Sequence, residues 1–306
     1  MYSAVVRSKE YEKNLLDFIS YEYSIDGLIL TPAKRGFYGE TWRLDAPDAG
    51  YFLKLVYAGS HMAIYERSFR VIKHICDHGI NFISQIVVSK DGSLFKMFDG
   101  AVLGVFNWIN GELIQTNATK IHEYEMLAKV YTVPTSNIPI LSEDVSDKNA
   151  IVYYNQRRML KDGPLLSLLE KYHAKIKHRA DRLKHFADLC RGDTYNYFIT
   201  HGDAGGNFIN DGDKNYLVDW DYAILAPPER DAWVMCCEPW AAEIFQNAMR
   251  NNGIIHTIRP NWLAFYCYCY FFFYLSAFLD ADSDAETVDE YINGWIENSF
   301  KYADNV

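Results

Sequence analysis

Between Glu10 and Tyr23 the apolar residues Leu15, Phe18 and Ile19 recur at helical spacing among charged neighbours, which predicts an amphipathic opening helix. Three short apolar runs follow, at 28–30, 41–44 and 51–56. Turn-forming stretches at 36–39 and 47–50 separate them, so they read as an antiparallel meander. Helical spacing returns over 61–79, through Ile64, Phe69, Ile72 and Ile75. Residues 82–88 and 93–98 then read as two further strands joined by a hairpin at Lys90-Asp91-Gly92. Beyond them the pattern turns helical. A helix is expected over 117–131 with Asn117 or Thr119 near its N-cap. A long loop with Pro134 and Pro139 follows over 132–148, then one or two helices over 165–191, and only helices after Ala232.

The eighteen residues from Trp262 to Leu279 carry no charge, long enough to raise the question of a membrane span. Tyr266, Tyr268, Tyr270 and Tyr274 bring hydroxyls that a bilayer centre would leave unsatisfied, and no basic cluster flanks the stretch. The reading is therefore a buried, aromatic-rich core helix. The basic residues Lys171, Lys175, Lys177, His178, Arg179, Arg182 and Lys184 read as a solvated helix face.

Composition narrows the function classes. A chain of 306 residues, 49% hydrophobic, can bury a large core and is not a disordered chain. Thirty basic against forty acidic residues give a net charge of −10, which argues against nucleic-acid and membrane partners and favours a cationic small molecule, although solubility alone also accounts for it. Cys76, Cys190, Cys236, Cys237, Cys267 and Cys269 form no metal-binding spacing and read as thiols of a reducing cytoplasm. The first residues lack an export signal.

Candidate chemistry concentrates in two stretches, Thr200-His201-Gly202-Asp203-Ala204-Gly205-Gly206-Asn207 and Val218-Asp219-Trp220-Asp221, each led into by apolar residues. Two carboxylates and an amide on adjacent loops can orient a hydroxyl and hold a hard cation through oxygen, which is what phosphoryl transfer requires. Lys54 lies between Leu53 and Leu55 in a half-buried run, where an ammonium needs a partner unless it sits on a solvent-facing edge. His201 could act as a base or a metal ligand. Asp231, near a helix start after Pro227-Pro228, reads as structural support or as a contact to a substrate amine. Asp221 either joins the metal shell, meets substrate or points away.

These motifs, with Leu225-Ala226-Pro227-Pro228-Glu229-Arg230-Asp231, resemble the aminoglycoside phosphotransferase family, and within it the spectinomycin-phosphorylating branch. The resemblance implies an α+β, two-lobed protein-kinase-like fold. An antiparallel-sheet N-lobe (1–106) would bind ATP or GTP, and a mainly helical C-lobe (107–306) would carry the catalytic loop and acceptor site. It implies Asp203 as catalytic base, His201 as a brace of its loop, Asn207 and Asp219 on Mg²⁺, and Lys54 paired with Glu66 on the phosphates. Gly36 and Gly39 would lie in a phosphate-covering turn, with Phe106 and Trp108 walling the base. Glu238 and Asp221 are candidates for the acceptor. Asn207 follows Asp203 by four residues where the family has five, so the two glycines between them must let the shorter loop present the same groups. Three functions stay open: an antibiotic phosphotransferase, a metabolic kinase of choline, homoserine or fructosamine type, and a nucleotide-binding protein without catalysis.

Overall fold

The computed structural model describes residues 6–33, 39–57, 59–114, 116–193, 196–234, 236 and 238–306. The chain folds as two compact units, Met1–Leu141 with His201–Ile224, and Ser142–Thr200 with Leu225–Val306.

In the first unit the opening helix α1 (Lys9–Tyr23) starts at Ser8, whose side chain accepts from the Tyr11 N–H. Five antiparallel strands follow: β1 (Ile29–Pro32), β2 (Glu40–Asp45), β3 (Gly50–Val56), β4 (Lys96–Phe98) and β5 (Ala101–Asn107), in the spatial order β1-β2-β3-β5-β4. Between β3 and β4 runs α2 (Gly59–Asp77). The period of two in the strands divides them between two helices. Trp42, Leu44, Leu53, Leu55, Leu103 and Val105 form one core with Leu15, Ile19 and Tyr23 of α1. The intervening residues, Lys54 and Gly104 among them, point to the opposite face, where Phe69 of α2 lies against Gly104. A Cβ at Gly104 would meet the Phe69 ring at 2.5 Å, so this residue lets helix and sheet approach closely.

One strand prediction is corrected. Residues 82–88 form no strand; they run beside the end of β5 through a single bridge, Ile86 to Phe106, and the Val87 N–H to Val105 O bond of 2.8 Å. The turn at Lys90-Asp91-Gly92 closes on itself, with Asp91 accepting from Ser89 Oγ at 2.7 Å and from the Ser93 N–H at 3.1 Å. The hairpin lies instead between β4 and β5, where Asp99 (φ 48°) and Gly100 (φ 78°) supply the two left-handed residues a tight turn demands.

Past the sheet come β6 (Glu112–Leu113) and α3 (Asn117–Val130), capped by Thr116 in a reciprocal bond with Thr119. The compact units do not part at Phe106. The strands Phe208–Asn210 and Asn215–Leu217 join β6 in a three-stranded sheet, and the Leu217 N–H donates to Phe82 O at 2.9 Å, so His201–Ile224 belongs with the five-stranded sheet.

The second unit is helical: α4 (Lys148–Met159), α5 (Pro164–Lys171), α6 (His173–Cys190), α7 (Glu229–Ala232), α8 (Pro239–Asn251), α9 (Pro260–Asp280), α10 (Ala285–Asn293) and α11 (Glu297–Ala303). The uncharged helix α9 is its core, with Trp262, Phe265, Tyr266, Tyr268 and Phe271 all fully buried. Two of its hydroxyls find protein partners, Tyr266 on Glu143 at 3.0 Å and Tyr268 on Asp304, which helps an apolar helix of this length to carry tyrosines inward. The basic face of α6 is only partly solvated. Lys177 and Lys184 pair with Asp181 and Asp188 at the surface, but Arg179 is 4% exposed, bonded to Glu297 with its guanidinium 3.9 Å from the Phe300 ring centre.

In the first unit, Glu40 at the start of β2 is 3% exposed and collects Arg7 Nε at 2.9 Å, the Tyr11 hydroxyl, Tyr57 Oη at 3.3 Å and Trp42 Nε1 at 3.3 Å. It ties the segment before α1 to β2 and to the end of β3. Glu40→Gln removes the charge and turns an amide donor against other donors, so chemical unfolding is expected to show a loss of about 2–4 kcal/mol; a loss below about 0.5 kcal/mol would contradict the buried network.

Candidate active site

The site assembles on β3 and the two loops that the backbone of the first unit brings against it. Apolar Phe198–Thr200 ends in the His201 loop, and Asn215–Leu217 ends in Val218-Asp219. A short turn over Ala204–Gly206 follows Asp203, closed by the Asn207 N–H on Ala204 O at 3.0 Å. Gly205 and Gly206 lie in a single 3₁₀ turn without left-handed backbone, and that turn accommodates the shorter loop.

His201, with no exposed surface, joins the loops. Its Nδ1 accepts from the Asp203 N–H at 3.2 Å, which leaves Nε2 to donate to Val218 O at 2.8 Å, and its ring lies 4.5 Å from that of Trp220. A second tie runs from the Val218 N–H to Asn207 O at 2.9 Å. The Asn207 side chain donates Nδ2 to Asp203 O at 2.7 Å, which fixes the amide and leaves Oδ1 for a further partner. Asp203 is exposed at the head of the turn.

Lys54 is 8% exposed at the centre of β3 and donates to Asp219 Oδ1 at 2.9 Å and to Asp221 Oδ2 at 2.5 Å. Asp219 has a left-handed backbone (φ 64°), a conformation that costs a non-glycine residue about 1 kcal/mol and persists where the surroundings enforce it. The turn after it, closed by the Ala223 N–H on Trp220 O at 3.2 Å, returns Asp221 to the same ammonium. Burial alone would drive Lys54 towards the neutral amine, but the two carboxylates outweigh it and hold the ammonium well above its ordinary range. Burial also opposes ionisation of Asp219, and there the Lys54 charge wins, holding the carboxyl down at about 2. Asp221, enclosed and beside the Asp219 charge, is pushed up to about 7.

The sequence-predicted residues fall into distinct groups. Lys54, His201, Asp203, Asn207, Asp219 and Asp221 all lie in the first unit, on β3 and the two joined loops. Glu66 does not join them as expected, because α2 presents Tyr65 to the sheet: this ring is 5% exposed, and the Lys54 ammonium stands 4.7 Å from its centre. One residue further on, a helix has turned by about 100°. Gly39 immediately precedes β2, and a Cβ there would meet Leu55 O at 2.3 Å, so strand packing is enough to require glycine, while Gly36 lies outside the described residues. Phe106, 5% exposed, is packed 5.5 Å from Phe69, and Trp108 is covered by the Arg43 guanidinium at 4.7 Å. In the second unit, Asp231 is 6% exposed within α7, and the exposed Glu238 accepts from Trp240 Nε1.

The neighbours of Asp231 were not anticipated. Glu229, with no exposed surface, accepts from Arg259 Nε at 2.9 Å and Nη2 at 3.1 Å and is bonded to His256 Nε2 at 3.0 Å; Arg230 donates to Thr200 Oγ1 at 3.0 Å. They form an internal buttress of that unit. Their only sequence signal is two charges directly after a Pro-Pro turn.

No protein-family model matches the sequence, and no curated protein sequence does. Solved structures do. Spectinomycin phosphotransferase in complex with ADP and spectinomycin matches with TM-score 0.75 at 18% identity, over 95% of this chain and 98% of its own. The chain has the fold of the aminoglycoside phosphotransferases. An aminoglycoside phosphotransferase from Alicyclobacillus acidocaldarius matches at 0.63 and 13% identity over 99% of this chain and 96% of its own, and choline kinase from Cryptosporidium parvum at 0.63 and 9% over 96% and 97%. The identities to these three structures lie between 9% and 18%, so the likeness is one of fold.

The Lys54 cluster also has a stability consequence. Lys54→Met leaves the enclosed Asp221 carboxylate facing the partly exposed Asp219 with no cation between them, so the unfolding free energy at neutral pH is expected to fall by about 2–4 kcal/mol, with Asp221→Asn in the same chain restoring part of it. A Lys54→Met protein as stable as the parent would contradict the paired geometry.

Proposed function

We propose that the chain is a small-molecule kinase, transferring the γ-phosphoryl group of ATP to an alcohol hydroxyl of a cationic acceptor of the aminoglycoside or aminocyclitol class. One observation carries the reading: a buried strand lysine bonded to Asp219 within the same unit that presents Asp203 and Asn207 on an adjoining, histidine-braced loop. The ADP and spectinomycin of the matched phosphotransferase support nucleotide use and an alcohol acceptor. The net charge of −10 supports a cationic one.

In this reading Lys54 neutralises phosphate oxygens, and Asp203 orients the acceptor hydroxyl and takes its proton. Among the described residues no three His, Cys, Asp or Glu side chains form a metal-holding group by themselves. The half-exposed Asp219 carboxylate and Asn207 Oδ1 are nevertheless oxygen donors of the kind magnesium takes when phosphates and water supply the rest. Magnesium would contribute neutralisation of charge on the phosphates. The cysteine thiols and the mostly buried α9 fit a cytoplasmic enzyme.

A metabolic kinase is the second reading, favoured by the match to choline kinase over nearly the whole chain. The test measures ADP release from magnesium-ATP with spectinomycin, other aminoglycosides, choline, homoserine and fructosamine, together with growth on each antibiotic. ADP above the rate with water is expected for an antibiotic acceptor. Asp203→Ala should cut turnover about 10²–10⁴-fold while leaving nucleotide affinity within a few-fold. If nucleotide raises the melting temperature and no acceptor yields ADP, the enzyme reading fails and a silent nucleotide-binding protein takes its place.

A further inference from the structure

We infer that Asp221, backed by Tyr65, is the positioning partner of Lys54, the carboxylate that keeps the ammonium aimed when Asp219 turns to its ligand, and that Glu66 has no part in it. This assignment rests on the kinase reading for its purpose and on the geometry of the first unit for its content.

The two carboxylates on Lys54 are not equivalent. The Asp219 side chain is 45% exposed and the Asp221 side chain 10%, so Asp219 is the one that can leave the ammonium for a ligand from solvent. Asp221 makes the shorter bond, 2.5 Å against 2.9 Å. It also has a neighbour behind it: the Tyr65 phenol interacts with it, while the Tyr65 ring lies under the Lys54 ammonium, 4.7 Å from its centre. A carboxylate, a phenol and an aromatic face thus surround one amine, two of the three coming from a single α2 residue.

Glu66 forms no ion pair with Lys54, and the packing of α2 explains why it cannot easily acquire one. Bringing Glu66 to the sheet requires rolling the helix by about 100°. Phe69 prevents that roll, because its ring is seated on Gly104, and Gly104 is the cross-strand neighbour of Lys54 itself. Turning α2 would lift Phe69 from the one position in β5 that lacks a side chain and expose Tyr65 and Ile72, both buried. The aromatic seat and the lysine lie side by side, so the helix register and the choice of partner are fixed together.

Two measurements on the full chain test the inference with Glu66→Ala, Asp221→Asn, Asp221→Glu and Tyr65→Phe. In the nucleotide-free protein, the rate of Lys54 acetylation by acetic anhydride, mapped by mass spectrometry, is expected to rise at least fivefold in Asp221→Asn and measurably in Tyr65→Phe. It should stay within twofold of the parent in Glu66→Ala. In the second measurement, MgADP binding is expected to weaken at least tenfold in Asp221→Asn and at least threefold in Tyr65→Phe. Asp221→Glu should recover part of that loss, and Glu66→Ala should again lie within twofold. Equal losses in Glu66→Ala and Asp221→Asn, or unchanged acetylation and affinity in both Asp221→Asn and Tyr65→Phe, overturn the assignment. A parent protein that binds no MgADP refutes the kinase reading instead, and the acetylation rates then decide the partner of Lys54 by themselves.

Discussion

An ammonium cannot sit in a protein interior without matching charge, and the first unit is arranged around that constraint. Lys54 is almost enclosed in the central strand of the five-stranded sheet, and the two carboxylates that make its position tolerable come from 165 and 167 residues further along the chain. Replacing a whole buried ion pair with apolar residues of the same size is often neutral, whereas removing one partner and leaving the other charge alone is expensive. The sheet and the distant hairpin therefore depend on each other: without the Asp219 loop the strand holds an unpaired cation, and without Lys54 the loop brings two acids together.

The same economy governs how the loops are held. His201 spends both ring nitrogens on backbone groups, one on its own loop and one on the next, so the acids are positioned by main-chain bonds rather than by each other. The left-handed backbone at Asp219 then becomes tolerable, since the bracing from Val218 and Trp220 over-determines it. A rigid frame with one partly exposed carboxylate is a suitable place to exchange an internal partner for an external ligand.

Much of this was legible from residue patterns. Helix α1, the first three strands, α2, α3 and the buried character of α9 follow from periodicity and caps, and the loop acids follow from residue types that only a few chemistries use together. The failures have physical causes. In α2 the expected stripe holds at Phe69, Ile72 and Ile75, which are buried, but Tyr65 takes the place expected of Ile64; Glu66, one position and so about 100° further round the helix, is turned away from Lys54. The strand expected over 82–88 is apolar enough, but its backbone bonds are taken by the end of β5 and by Leu217, neither of which is near it in sequence. Arg179 looked solvated because periodicity cannot see that two phenylalanines from other helices close over it.

The proposed function turns on an exchange at one amine, in which Asp219 would give up Lys54 to phosphate oxygens while Asp221 keeps it. The most direct measurement is a crystal structure of the chain with magnesium and a non-hydrolysable ATP analogue. Phosphate oxygens are expected within hydrogen-bond distance of Lys54 Nζ, with Asp219 released from the amine and bound to the metal and Asp221 still bonded to Lys54. A nucleotide bound away from Lys54, with the Lys54–Asp219 pair intact, would contradict that exchange.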